Sequence, residues 1–158
     1  MPFTPFHLGP GAVFKAIGRD RFSFLMFGGT QILMDVEPLV HILRGDRVLH
    51  GTSHTIAGAL AIAGVSILLA VPIIRWLMRH LTNAPPLTWT VATISALVGT
   101  YSHILLDAIM HSDMNPLWPF APGNSLQGII SVDGLHLFCM SCGLIGGAAI
   151  ALRAMRRS

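Results

Sequence analysis

The chain has 158 residues, of which 53% are hydrophobic and 11% charged, and ten Lys and Arg against seven Asp and Glu give a formal charge of +3. Soluble domains carry about a quarter charged residues. A mean hydropathy of +0.66 therefore excludes a water-soluble domain, and the basic excess reports membrane orientation rather than nucleic-acid binding.

The expected architecture is a single all-α integral membrane domain over 1–158, a bundle of four transmembrane helices with a short N-terminal re-entrant or interfacial helix. Met1 to Gly11 holds three prolines and no basic n-region, so no cleavable signal is expected. Thr4-Pro5 and Gly9-Pro10 predict a short helix from about Pro10 to Ile17. Phe22 to Leu43 is long enough to span but contains Asp35 and Glu37, and Pro38 is expected to break or kink it just beyond them. Acids inside a span are costly unless they face a polar interior, which makes both functional candidates.

His50 to Thr55, HGTSHT, leads into a second span reaching about Leu77, with Thr52 or Ser53 as its N-cap and Pro72 as a kink. Asn83 and the two prolines after it predict a turn. Leu87 to Met110 forms a third span and Gln127 to Leu152 a fourth, the latter containing Asp133, His136, and Gly143 and Gly147 at packing spacing. Cys139 and Cys142 form a CxxC inside this apolar run, without a second pair. They read as small apolar residues at a helix interface, not as a redox or zinc motif.

Lys15, Arg19, Arg21, Arg75, Arg79, Arg153, Arg156 and Arg157 fall on one side of this arrangement, and only Arg44 and Arg47 on the other. The positive-inside rule then predicts an inner-membrane protein with both termini cytoplasmic. Counting about 1.5 Å of rise per residue from the basic edge, Asp35 lies roughly 21 Å up, His103 roughly 24 Å and His136 roughly 25 Å. His54 lies near roughly 31 Å, and His7, if the N-terminal segment folds back, up to roughly 18 Å from Arg19. These polar groups share one slab in the outer half of the bilayer.

The densest part of that slab is Tyr101 to Phe120, YSHILLDAIMHSDMNPLWPF, where His103, Asp107 and His111 recur every four residues and so stack on one helix face. Imidazole and carboxylate are ligands for zinc and similar divalent ions. The metal-ligand candidates are His7, Asp35, His50, His54, His103 and Asp107, with Glu37 or Asp113 as general base. His111 and His136 are candidates facing the substrate or supporting the ligands, while His41 and His80 read as interfacial. The competing reading is a set of histidines buried for packing.

On three motifs the chain resembles the predicted membrane-bound, metal-dependent hydrolases, the YdjM-like inner-membrane proteins. They are Asp35-Val-Glu-Pro38 at the end of the first span, HGTSHT opening the second, and Ser102-His103 through Asp107 closing with Leu117 to Phe120. The chain departs from that pattern in the spacing between His50 and His54, in Met110-His111 and Asp113 after the aspartate, and in its MPFTPFH opening. The resemblance implies a hydrolase using a divalent metal, zinc in the first place and manganese or iron as alternatives. The position of the slab, beside a loop of Trp118, Phe120 and three prolines, suggests an ester or phosphoester of a lipid or lipid-linked molecule as substrate. Metal-ion or proton transport, and a bundle merely stapled by metal, are the alternatives.

Overall fold

The computed structural model describes residues 5–81 and 86–156, and among them every regular element is a helix. These are α1 (Leu8–Gly18), α2 (Phe24–Met34), α3 (Val36–Arg44), α4 (Ile56–Leu81), α5 (Trp89–Met110) and α6 (Val132–Met155), with 3-10 turns at Pro5–His7, Arg19–Arg21 and Thr52–His54. Three of them, α4, α5 and α6, are long and apolar enough to cross a membrane. The turn expected at Asn83 and Pro85, and the contributions of Thr4 and Arg157, lie outside the described residues.

The expected first span is two helices that meet at Asp35. Proline lacks an N–H, and its ring collides with the carbonyl four residues back. For Pro38 that carbonyl belongs to Met34, where α2 ends. The break therefore falls before Glu37 and not beyond it, and Pro38 sits in the first turn of α3, where a missing donor is tolerated. Asp35 becomes the pivot: its N–H donates to Gln31 O and its carbonyl accepts from Leu39 N.

Side-chain caps set the other helix starts. Ser23 accepts from Met26 N, Thr88 from Val91 N and Ser131 from Gly134 N, each at 3.2 Å. The cap of α4 is Thr55, which accepts from Gly58 N at 2.9 Å. Thr52 and Ser53, the expected caps, instead give their N–H and hydroxyl groups to Glu37.

The helices α2 and α5 run parallel. Ser23 N donates to Ser95 Oγ at one end, and Gln31 Nε2 donates to Gly99 O further along. Antiparallel to both is α4, with Arg75 Nε on Leu87 O at 2.7 Å. Fully buried Ala59, Ala63, Ala92, Ala96 and Ala108 let these helices approach closely, as small residues do in membranes. Leu60, Leu68 and Leu69 on α4, and Leu144 and Ile145 on α6, are more than half exposed and give the bundle an apolar outer surface suited to lipid.

The short α1 packs parallel to α6. A Cβ on Gly9 would strike the Cys139 carbonyl, a Cβ on Gly146 would strike the backbone of Ala12 and Val13, and Arg153 donates to Ala16 O. The close face is thus Cys139, Gly143 and Gly146, and it receives another part of the same chain. Cys139 is buried in this interface and unpaired, as expected of a small apolar residue. Because α1 and α6 are parallel, Pro5 and Arg156 lie at opposite ends of the bundle. Lys15, Arg75 and Arg153 gather at one end, and His7, His54 and His103 lie at the other.

Candidate metal centre

At the end of the bundle away from Lys15, Arg75 and Arg153, five elements bring six side chains to one point. The Pro5–His7 turn supplies His7, the α2–α3 junction Asp35, the following loop His50, the Thr52–His54 turn His54, and α5 both His103 and Asp107. All six side chains are buried. Asp35, His54, His103 and Asp107 offer ligand atoms within 4.8 Å of one another.

Asp107 is the hub. Its Oδ2 lies 3.1 Å from His103 Nε2, 3.4 Å from His54 Nε2 and 3.9 Å from His50 Nε2. Its Oδ1 lies 3.3 Å from His7 Nε2 and 3.9 Å from His111 Nε2. Asp35 Oδ1 closes the ring at 3.5 Å from His103 Nε2. The i, i+4 spacing of His103 and Asp107 thus has the effect the sequence suggests. His111 is carried differently, because α5 ends at Met110 and His111 is already extended (φ −111°, ψ 125°). Its ring stacks on His50 at 4.2 Å.

Outer partners fix the tautomers of three of these rings. Gln31 Nε2 donates to the Gly99 carbonyl, so Gln31 Oε1 is the atom facing His103 Nδ1 at 2.6 Å. That oxygen only accepts, so the proton is on Nδ1 of His103. Ser53 Oγ donates to Glu37, and therefore accepts from His54 Nδ1 at 2.9 Å. The Asp113 carboxylate accepts from His50 Nδ1 at 2.9 Å. With the three Nδ1 protons turned outward, three Nε2 atoms face one carboxylate, and His54 Nε2 and His103 Nε2 face each other at 3.3 Å. Lone pairs converging on an anion in a buried site require a cation or extra protons between them.

The donor chemistry fits a divalent metal ion. Imidazole and carboxylate form the mixed set such ions take, and ligating histidines generally have their other nitrogen held by a carboxylate, carbonyl or similar partner. His7 adds an independent observation. It is 3% exposed, yet among the described residues neither of its ring nitrogens has a hydrogen-bond partner. The 3.3 Å approach to Asp107 is a close contact without hydrogen-bond direction. Buried polar atoms are rarely left so, and an ion would satisfy one of them.

Glu37 and Asp113, expected as general bases, stand behind histidines. Glu37 accepts from the N–H and hydroxyl of both Thr52 and Ser53. Asp113 accepts from Leu49 N at 2.8 Å and His50 N at 3.1 Å as well as from the His50 ring. Burial pushes the Asp113 carboxyl up, but these hydrogen bonds outweigh it and hold it at about 2. Burial lowers the His50 and His111 rings below their ordinary value, against the raising effect of nearby carboxylates. Both are therefore neutral near pH 7, the form that ligates metal.

The other histidines lie apart. His136 stacks on Phe6 at 4.4 Å, His41 pairs with Asp46 at 2.6 Å, and His80 is exposed beside Trp76. Over the site runs the loop that follows α5. Asn124 Nδ2 donates to the Ala108 and His111 carbonyls, satisfying the open end of α5, and Pro116 O accepts from Ile56 N at the start of α4. No family model, curated protein or solved structure matches this chain.

Proposed function

We propose that the chain is a membrane-bound, metal-dependent hydrolase, in keeping with its resemblance to the YdjM-like proteins, and that it cleaves an ester or phosphoester of a lipid or lipid-linked molecule. The observation that carries the reading is the convergence of three outward-protonated histidines on Asp107, with the buried His7 ring, which makes no hydrogen bond, beside it. Asp35, His54, His103 and Asp107 would hold one divalent ion, zinc in the first place. His7, His50 and His111 would hold a second, with Asp107 shared. More donors converge than one tetrahedral ion can take, and a four-ligand site on its own would be the closed, structural kind. Water and substrate would then enter by expansion of the coordination beyond four, as catalytic zinc sites allow.

A bound ion of this kind lowers the pKa of water from 15.7 toward about 7 and polarises the scissile group. The chain's own residues supply position. Gln31, Ser53 with Glu37, and Asp113 hold the three rings; the buried helix faces exclude bulk water; Arg44 and Arg47, exposed on the same side, attract an anionic headgroup. Glu37 and Asp113 act here as positioning residues. In this reading α2 and α3 cross the bilayer together as a bent span, which gives four, with α1 re-entrant and the basic end cytoplasmic.

The test is a panel of phospholipids and lipid-linked phosphates offered to purified, metal-loaded protein. Hydrolysis of at least one member that is lost in Asp107→Ala supports the proposal. Full metal occupancy with no hydrolysis, or cleavage of soluble esters alone, overturns the lipid assignment, and metal flux into vesicles would replace it with transport.

A further inference from the structure

One groove of the molecule leads directly to the metal centre. It has a volume of about 530 Å³ and is lined by Pro5, Leu8, Phe24, Leu25, Gly28, Gly29, Gln31, Ile32 and Asp35. That size falls within the range of about 300–1,000 Å³ typical of small-molecule sites. Its walls are apolar along α2 from Phe24 to Ile32, and its polar members, Gln31 and Asp35, stand together at one end. From Phe24 to Asp35 the groove follows α2 for about 16 Å at 1.5 Å per residue. Leu25 and Ile32 are 64% and 56% exposed, so it opens on the apolar outer surface.

Gly29 explains why the groove is open. Most packed glycines in this chain are required by a neighbour, as Gly9 and Gly146 are by the α1–α6 contact. A Cβ on Gly29, by contrast, would meet no atom within 4 Å, and one on Gly28 would touch only Leu8 at 3.6 Å. Glycine within a helix is destabilising relative to alanine, and no packing contact at Gly29 offsets that cost. What the missing side chains leave is a long apolar slot that ends at Asp35 and at Gln31, the residue that orients His103.

We propose that this groove binds one acyl chain of a membrane glycerolipid and delivers its polar end to Asp35, with Gly28 and Gly29 setting the chain it accepts. The shape and chemistry are those of an amphiphile: apolar along its length, polar at one end, and entered from the side that faces lipid. A second copy of this chain or a partner helix would need a broad face, whereas the slot is bounded by Leu8 on one side and by Leu25 and Ile32 on the other. The identity of the polar end as a reacting ester or phosphoester rests on the hydrolytic reading above; occupation of the groove by an acyl chain does not.

The experiment uses the full chain in vesicles of phosphatidylethanolamine and phosphatidylglycerol that contain phosphatidylglycerol with a diazirine in the middle of one acyl chain. After irradiation, labelled residues are mapped by mass spectrometry and metal content is measured on the same samples. Labelling at Leu8, Leu25 and Ile32 should exceed that at the outer residues Leu68, Leu69 and Ile73 of α4 at least fivefold. Gly29→Phe should reduce groove labelling at least fivefold with metal content unchanged. The control Gly147→Phe, at an α6 glycine whose Cβ would also meet nothing, should leave it unchanged. Equal labelling of the groove and of α4, or groove labelling indifferent to Gly29→Phe, would overturn the proposal. So would disulfide-linked dimers of Gly29→Cys, which would mean that a second copy fills the slot. Strong groove labelling with no lipid hydrolysis would support the acyl-chain site while removing the hydrolytic reading.

Discussion

Gln31 Oε1 lies 2.6 Å from His103 Nδ1, and the same side chain is held from behind by the Gly99 carbonyl. One neutral amide thereby decides which nitrogen of a buried histidine faces the carboxylates, in a region where a wrongly placed proton has no water to correct it. Gln31→Leu removes the acceptor and leaves His103 free to turn. Loss of such an outer partner typically costs 10- to 100-fold in metal affinity. A zinc titration of apo protein against a competing chelator should show that loss, and Gln31→Glu, which keeps an acceptor at the same place, should recover part of it. Unchanged affinity in Gln31→Leu would mean that the amide does not orient the ring.

The ligands themselves should be less forgiving. His103→Ala and Asp107→Ala are each expected to strip metal from the purified protein, because a site losing one of its few ligands binds far more weakly. His80→Ala, on an exposed surface, should retain it. Elemental analysis decides the matter: wild type near two ions per chain, the Asp107 variant near none because it loses the shared ligand. One ion per wild-type chain would reduce the centre to its Asp35, His54, His103 and Asp107 half.

The ligand types and their spacing on α5 were legible because i, i+4 is a property of any helix, and the common level of Asp35, His54 and His103 because a helix rises at a constant rate. The surroundings of the ligands were less legible. The histidines' outer partners depend on contacts between elements, so the sequence offers Glu37 and Asp113 as general-base candidates and not as the groups behind His54 and His50. Gln31 carried a signal that was there to be read: an amide in an apolar run, four residues before Asp35 and so on the same face. The break at Asp35 was likewise implicit in Pro38, since the clash falls four residues upstream.

Packing of α1 on α6 gives a prediction away from the ligands. His7 reaches the centre only because Gly9 and Gly146 let two backbones meet. Gly146→Leu forces a side chain into the Ala12–Val13 backbone, an overpacking that typically costs 1–3 kcal/mol. The expected result is a folded protein of lower thermal stability that binds one ion in place of two, since His7 is withdrawn while Asp35, His54, His103 and Asp107 stay. Two ions bound with unchanged affinity would show that His7 is not a ligand.

The orientation of the whole assembly can be tested without knowing the substrate. Seven of the basic residues, Lys15, Arg19, Arg21, Arg75, Arg79, Arg153 and Arg156, lie at one end of the described structure, and several are fastened there. Lys15 Nζ holds the Arg19 and Phe22 carbonyls, Arg75 holds the Leu87 carbonyl and lies over Trp89 at 5.1 Å, and Arg153 holds the Ala16 carbonyl. Arg44 and Arg47 are at the other end, with Trp118 and Phe120, which are 51% and 87% exposed. The orientation proposed above keeps these Lys and Arg on the cytoplasmic side, and it would place the histidine cluster toward the outer face. A reporter active only in the cytoplasm should work when fused after Ser158 and fail when inserted between Ala121 and Gln127, while a reporter active only outside should do the reverse. The same sidedness at both positions would mean that α6 does not cross the membrane, and the placement of the site near the outer headgroups would fall with it.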